Sequence, residues 1–224
     1  MAATNILQTY LERCALITLE KQDKLESLIA ESIHELDLDA GKIRFNDLAF
    51  PVQVLGTESD NSLTWLWAWA DEQTEIPSSL MQSSLQLRNW GATEGIPEFT
   101  TPSLDLSRAD GHVIALISAE FCKASGYYRD SYEGGAVLLL LFDRLIDSQP
   151  PFDRGRLVRK MSDIFSRYDL NHRNTLLSYL RLKRLSPVED RDTVNCELES
   201  GERLIAEFDV AGKLIMVNGT SFEV

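Results

Sequence analysis

Three tryptophans stand at alternate positions, Trp65, Trp67 and Trp69, in the run TWLWAWA. In an extended strand alternate side chains share a face, so the three indoles would point one way and Leu66, Ala68 and Ala70 the other. Each indole brings a large apolar surface and one N–H donor. Two roles are open to them. They can form an interior strand, with the small Ala68 and Ala70 letting a helix approach, or they can floor a ligand cleft. A second cluster is Gly126–Tyr132, GYYRDSY. Strand alternation places Tyr128, Asp130 and Tyr132 on one face and Tyr127, Arg129 and Ser131 on the other. An arginine beside phenols can clamp an anion or stack on a ring; at a strand edge it can also pair with a carboxylate. A cleft floored by Trp65, Trp67 and Trp69 and rimmed by Tyr128 and Arg129 is the small-molecule or enzymatic reading of these residues.

The remaining reactive side chains are scattered. His34, His112 and His172 lie far apart, and no HExxH or paired-cysteine spacing accompanies them. Each reads as a structural or solvent-facing histidine. In YDLNHR, Asp169 or Asn171 beside His172 reads first as a helix cap. Cys14, Cys122 and Cys196 are odd in number and distant, which gives no disulfide framework and fits a reducing cytoplasm. Asp37, Asp39 and Gly41 begin like a calcium loop, but Lys42 stands where glycine is needed and Leu48 where glutamate is needed. GxSxG, phosphate-loop and GxGxxG patterns are absent. No catalytic residue, metal ligand or cofactor is implied.

Charge narrows the partners. The 224 residues carry 22 Lys+Arg and 35 Asp+Glu, a net charge of -13. Residues 1–150 hold 10 cations and 23 acids, whereas 151–224 hold 12 of each. Within the second block, nine cations fall between Arg154 and Arg184 against only Asp163 and Asp169. Arg154, Arg156, Arg159 and Lys160 are its candidate anion-binding residues. The bland alternative is a pair of solvated basic helices. Duplex nucleic acid is disfavoured, because binding needs several neutralised phosphates and the rest of the chain repels them. Anionic membrane surfaces are disfavoured on the same ground. No apolar run approaches the roughly 18 residues of a membrane span, and the N-terminus lacks the basic-then-apolar pattern of a signal peptide.

The elements that must hold these residues read as α+β. Leu7, Leu11, Cys14, Ile17, Leu25, Leu28, Ile29, Ile33 and Leu36 recur at helical spacing, so a long amphipathic helix is expected from Thr4, its cap, to Leu36. Glu20 and Lys24 would pair across one turn. Strands follow at Lys42–Phe45, Phe50–Thr57, with Pro51 pushing the latter toward an edge or a start, and Leu63–Ala70. A helix from Pro77 to about Trp90, stopped by Gly91, and another capped by Ser107 and running from Arg108 to Ala124 come next. A hairpin turns at Glu133–Gly135 between Tyr127–Tyr132 and Ala136–Phe142. Ser148-Gln149-Pro150-Pro151 reads as a domain boundary. It separates an N-terminal domain, 1–148, built of a long helix and a mixed or antiparallel sheet covered by helices, from a smaller part, 149–224. That part reads as two helices, Phe152–Tyr168 and Arg173–Lys183, and three strands, Thr193–Leu198, Arg203–Phe208 and Leu214–Val217.

From the tryptophan run onward the chain resembles an uncharacterised bacterial family, a domain of unknown function. The resemblance rests on Gly56-Thr57 followed by Trp65, Trp67 and Trp69, on a helix ending Leu87-Arg88 with Gly91, and on Gly126 to Arg129. It spans about residues 40–140 and departs from the family at Ala70-Asp71, where an asparagine is expected. It implies a fold and a bacterial source; the family supplies no catalytic residue. The expected function is therefore a cytoplasmic, non-catalytic binding protein that engages a basic partner, immunity-like in its logic, because opposite fields speed encounter.

Overall fold

The computed structural model describes residues 6–30, 32–148 and 152–222. The chain divides into two compact units, Lys21–Ser148 and Met1–Glu20 together with Gln149–Val224. We call them the sheet unit and the split unit. Thr4, and most of the proline-rich boundary, lie outside the described residues.

Helix α1, Ile6–Ile29, buries Leu7, Leu11, Cys14 and Leu25 along one stripe. It ends seven residues before Leu36. His34–Asp37 instead forms β1, paired antiparallel with β2, Lys42–Phe45, from His34↔Phe45 to Asp37↔Lys42. The helical spacing of Ile33 and Leu36 is coincidental: Ile33 is 84% exposed, and Leu36 lies in the hairpin opposite Ile43. Helical and strand patterns share many short apolar intervals, and tertiary pairing decides between them.

The sheet unit is a curled antiparallel sheet of seven strands. Its spine is β3, Leu48–Ser59, which pairs through its first half with β2 and through its last residues with β4, Thr64–Trp67. Along Val52–Ser59 it also pairs with β7, Gly135–Leu141. Pro51 thus sits inside a central strand. Its carbonyl accepts from the Phe142 N–H just past the end of β7, so its missing donor falls where that ladder stops. Strand β5, Ser103–Asp105, flanks β4, and β6, Gly126–Tyr132, flanks β7. The core inside the curl includes Leu25, Ile43, Phe45, Phe50, Val52, Val54, Leu139 and Leu141.

The TWLWAWA run is only half strand. After Trp67 the chain tightens into a 3-10 turn over Ala68–Ala70. The Asp71 carboxylate accepts the N–H groups of Gln73 and Thr74, which closes the strand. Partial burial opposes the charge on Asp71, yet those hydrogen bonds hold its carboxyl below the usual range.

The helices of this unit start and stop elsewhere than their strongest local signals. Helix α2 runs Gln82–Glu94 and ends at Gly95, whose φ of +69° needs glycine. Gly91 lies inside it, where a Cβ would stand 2.5 Å from the Phe99 Cβ. It permits close approach of α3, Pro97–Thr100, and does not stop the helix. Helix α4, Gly111–Phe121, is capped by Asp110, whose side chain accepts from the Val113 N–H, in place of Ser107. A short α5 covers Arg144–Asp147.

The split unit contains the first part of α1, helices α6, Arg154–Arg167, and α7, His172–Leu182, and a five-stranded antiparallel meander. Its strands are β8, Val188–Asp190, β9, Thr193–Glu197, β10, Arg203–Phe208, β11, Leu214–Val217, and β12, Thr220–Ser221. Alternate residues Val194, Cys196, Leu204, Ala206 and Phe208 are buried, as one covered face requires. Asn171 caps α7 by accepting from the Asn174 N–H. Gln8 donates to the Asp169 carbonyl and Glu12 accepts from the Asn171 N–H, which ties the start of α1 to this unit. Glu20 does not serve Lys24: it lies 2% exposed between Tyr179 and Lys183, at 3.3 and 3.1 Å.

Candidate functional site

Among the strands of the sheet unit β6 is the richest in polar side chains, and its two faces do different work. On one face, Asp130 Oδ1 lies 2.7 Å from His34 Nε2, and the other ring nitrogen of His34 lies 3.3 Å from the Tyr128 hydroxyl. The Tyr128 ring stands edge-on to Phe45 at 4.9 Å, so this chain of polar groups is rooted in the core. Tyrosine, imidazole and carboxylate in a row can pass a proton. Burial, and then the Asp130 charge, push the Tyr128 phenol above its ordinary range.

On the opposite face Arg129 Nε donates to Glu58 Oε2 at 2.8 Å, and its Nη1 donates to the Ser131 hydroxyl at 2.6 Å. Glu58 is 6% exposed, and its other oxygen accepts the Gly111 N–H at 2.8 Å at the start of α4. A Cβ on Gly111 would stand 2.5 Å from that carboxylate. A buried carboxylate at a helix N-terminus, answered by a guanidinium, is fully satisfied. Arg129 therefore has a carboxylate of this chain in its fork, where an external anion would have to sit.

The tryptophans do not share one surface. Trp65 and Trp67 are both 0% exposed and meet edge to face at 5.3 Å. Trp67 donates its indole N–H to the Glu98 carbonyl. Trp69, carried off the strand by the 3-10 turn, lies half-buried under the Arg88 guanidinium, 4.3 Å above the ring. The five residues Trp65, Trp67, Trp69, Tyr128 and Arg129 are thus not brought together: two are sealed in the core, and Tyr128 and Arg129 face opposite ways.

The basic residues of α6 are partly spent within their own unit. Arg154 donates its backbone N–H to Glu202 Oε2 and lies 3.9 Å from that carboxylate through its guanidinium. Arg156 stacks over Phe152 at 4.6 Å. Arg159 is exposed and Lys160 half-buried. Farther on, Arg173 and Arg181 share Glu189, and Lys183 bridges Glu20 and Glu199.

Charge separates the units. Lys21–Ser148 holds 9 Lys+Arg and 21 Asp+Glu, a net -12, which leaves -1 for the split unit. Glu26, Glu35, Asp39, Asp47, Asp60, Glu72, Glu75, Glu94, Asp105, Glu133 and Asp147 are all exposed. Among the described residues, no three His, Cys, Asp or Glu side chains gather in a way that could hold a metal ion. No described helix is long and apolar enough to cross a membrane.

Residues 8–144 match a family of unknown function, DUF6882. The chain belongs to DUF6882. No curated protein and no solved structure matches it. The DUF6882 match takes in all seven strands of the curled sheet and most of α1. It stops at the first residue of α5, so Arg154, Arg156, Arg159 and Lys160 lie outside the DUF6882 region, whereas β6 and the exposed carboxylates up to Glu133 lie within it.

The sequence could not single out His34, Asp130 or Glu58. Their partners are 96 and 71 residues away along the chain, beyond any local pattern.

Proposed function

We propose that this protein is a non-catalytic binding protein of a bacterial cytoplasm, and that its Lys21–Ser148 unit engages a basic protein. One observation carries the reading: this unit holds -12 of the chain's net -13, with eleven of its carboxylates exposed. A surplus of that size on one unit sets up a field that steers a cationic partner and repels nucleic acid and anionic lipid. The residues that could have argued for chemistry support it from inside. Glu58 and Arg129 neutralise each other, and Trp65 and Trp67 give a rigid interior. A cleft lined by the tryptophans with Tyr128 and Arg129 finds no such support, and neither does an anion site on Arg154, Arg156, Arg159 and Lys160.

The test is capture from native extract by two forms of the chain, wild type and a variant with Glu35, Asp47, Asp60, Glu72, Glu75 and Glu133 changed to their amides. A basic protein recovered by the wild type and lost by the variant is the expected result. Recovery of nothing specific, or of the same proteins by both forms, contradicts the reading.

A further inference from the structure

Strand β6 has one partner, β7, and an open second side. In an antiparallel pair the backbone N–H and C=O of successive residues face the partner strand and the open side in turn. Tyr127 sets the phase. Its N–H donates to Gln22 Oε1 at 2.8 Å and its C=O accepts from Gln22 Nε2 at 3.0 Å, so one side-chain amide of α1 fills the outward rung there. Arg129 and Ser131 are two and four residues further on. Their outward N–H and C=O groups meet no hydrogen-bonding partner among the described residues.

An unpaired edge of this kind is a template for another strand, and folded proteins usually block such edges. Here the block covers the first rung and stops. The charge around the open rungs is negative. Arg129 is answered by Glu58, Glu133 is exposed at the turn after β6, and exposed Asp60 donates its N–H to the Gly134 carbonyl of that turn. Asp130 lies on the strand between the two rungs.

We propose that the β6 edge at Arg129–Ser131 is the docking line of the sheet unit, and that a basic extended segment of the partner adds there as an eighth strand. The proposal rests on the reading that this unit engages a basic protein, and it names the mode. Main-chain hydrogen bonds to Arg129 and Ser131 give the register, and lysines or arginines of the segment meet the exposed Glu133 and Asp60.

The probe is a ten-residue, end-capped fluorescent peptide alternating lysine with threonine, titrated by anisotropy into the full chain at low salt. Its match carries N-methyl groups on the two central amides that would face β6. On the protein side, Ser131→Pro removes one outward N–H at a position where no ladder bond is lost, and Ser131→Ala removes only the hydroxyl. The expected result is binding of the plain peptide, a loss of about tenfold on N-methylation and on Ser131→Pro, and native affinity for Ser131→Ala. The methylated peptide needs no protein variant, so the test survives a Ser131→Pro chain that fails to fold. Equal binding of plain and methylated peptides to the native chain overturns the edge while leaving the acidic surface as the attractor. No binding of any lysine peptide to the native chain overturns both.

Discussion

The two units use nearly the same charge chemistry to opposite ends. In the split unit cations are consumed locally: Lys183 by Glu20 and Glu199, Arg173 and Arg181 by Glu189, Arg154 by Glu202. Its net charge is -1. In the sheet unit a few pairs, Glu58–Arg129 and Glu98–Arg108 among them, serve the fold, and eleven other carboxylates are exposed. Exposed like charges self-repel and give the fold nothing. A surplus kept in one unit and balanced in the other is therefore best read as directed outward.

The comparison breaks most visibly at the tryptophan core. Trp67→Ala leaves a large cavity and an unpaired Glu98 carbonyl, and it is expected to cost about 3–5 kcal/mol. Hydrogen exchange should quicken across β3, β4 and β7; a change confined to the split unit would contradict the division. In the split unit, Glu20→Ala removes the buried acceptor between the Tyr179 hydroxyl and Lys183 and is expected to cost about 2–4 kcal/mol. Denaturant unfolding monitored on α7 checks it, and a loss under about 0.5 kcal/mol would show the network to be idle.

Acid should separate the units further. His172 is 6% exposed, stacks on Phe165 at 3.7 Å and accepts the Leu214 N–H at Nδ1. Burial, with Lys213 nearby, lowers its pKa, so the folded imidazole stays neutral where the unfolded one takes up a proton. Stability from this site is complete above the ordinary value of about 6.5 and falls as pH drops toward the lowered one. Protection factors in α7 and β11, corrected for the intrinsic pH dependence of exchange, should fall below pH 6.5 and cease to do so in His172→Gln. The smallest effect is expected at Arg88→Ala, about 0.5–1 kcal/mol, from the cation over Trp69.

How far the sequence reaches is clear at particular residues. The β6–β7 hairpin, α6, α7 and three of the five meander strands, β9, β10 and β11, are local patterns and legible; β8 and β12 are short and exposed, with no apolar alternation to read. The face division of β6 was legible too: Tyr128 with Asp130, Arg129 with Ser131. The errors fall where a neighbouring strand, turn or helix overrides the apolar spacing of a segment. Hairpin pairing with β2 takes His34–Asp37 out of the helix, the Asp71 turn lifts Trp69 off its strand, and Phe99 packing explains Gly91. The first half of α1 belongs with residues more than 150 positions away through Gln8 and Glu12. Of the site, the acidic surplus was visible in composition, whereas the open rungs at Arg129 and Ser131 required the position of Gln22.

The most direct test maps a cationic probe onto the native chain by amide chemical shifts. With the lysine–threonine peptide at low salt, the account expects shifts confined to Lys21–Ser148, greatest at Arg129 and Ser131, fading as salt is raised. Shifts centred on α6 and α7, or none in the sheet unit, would contradict it.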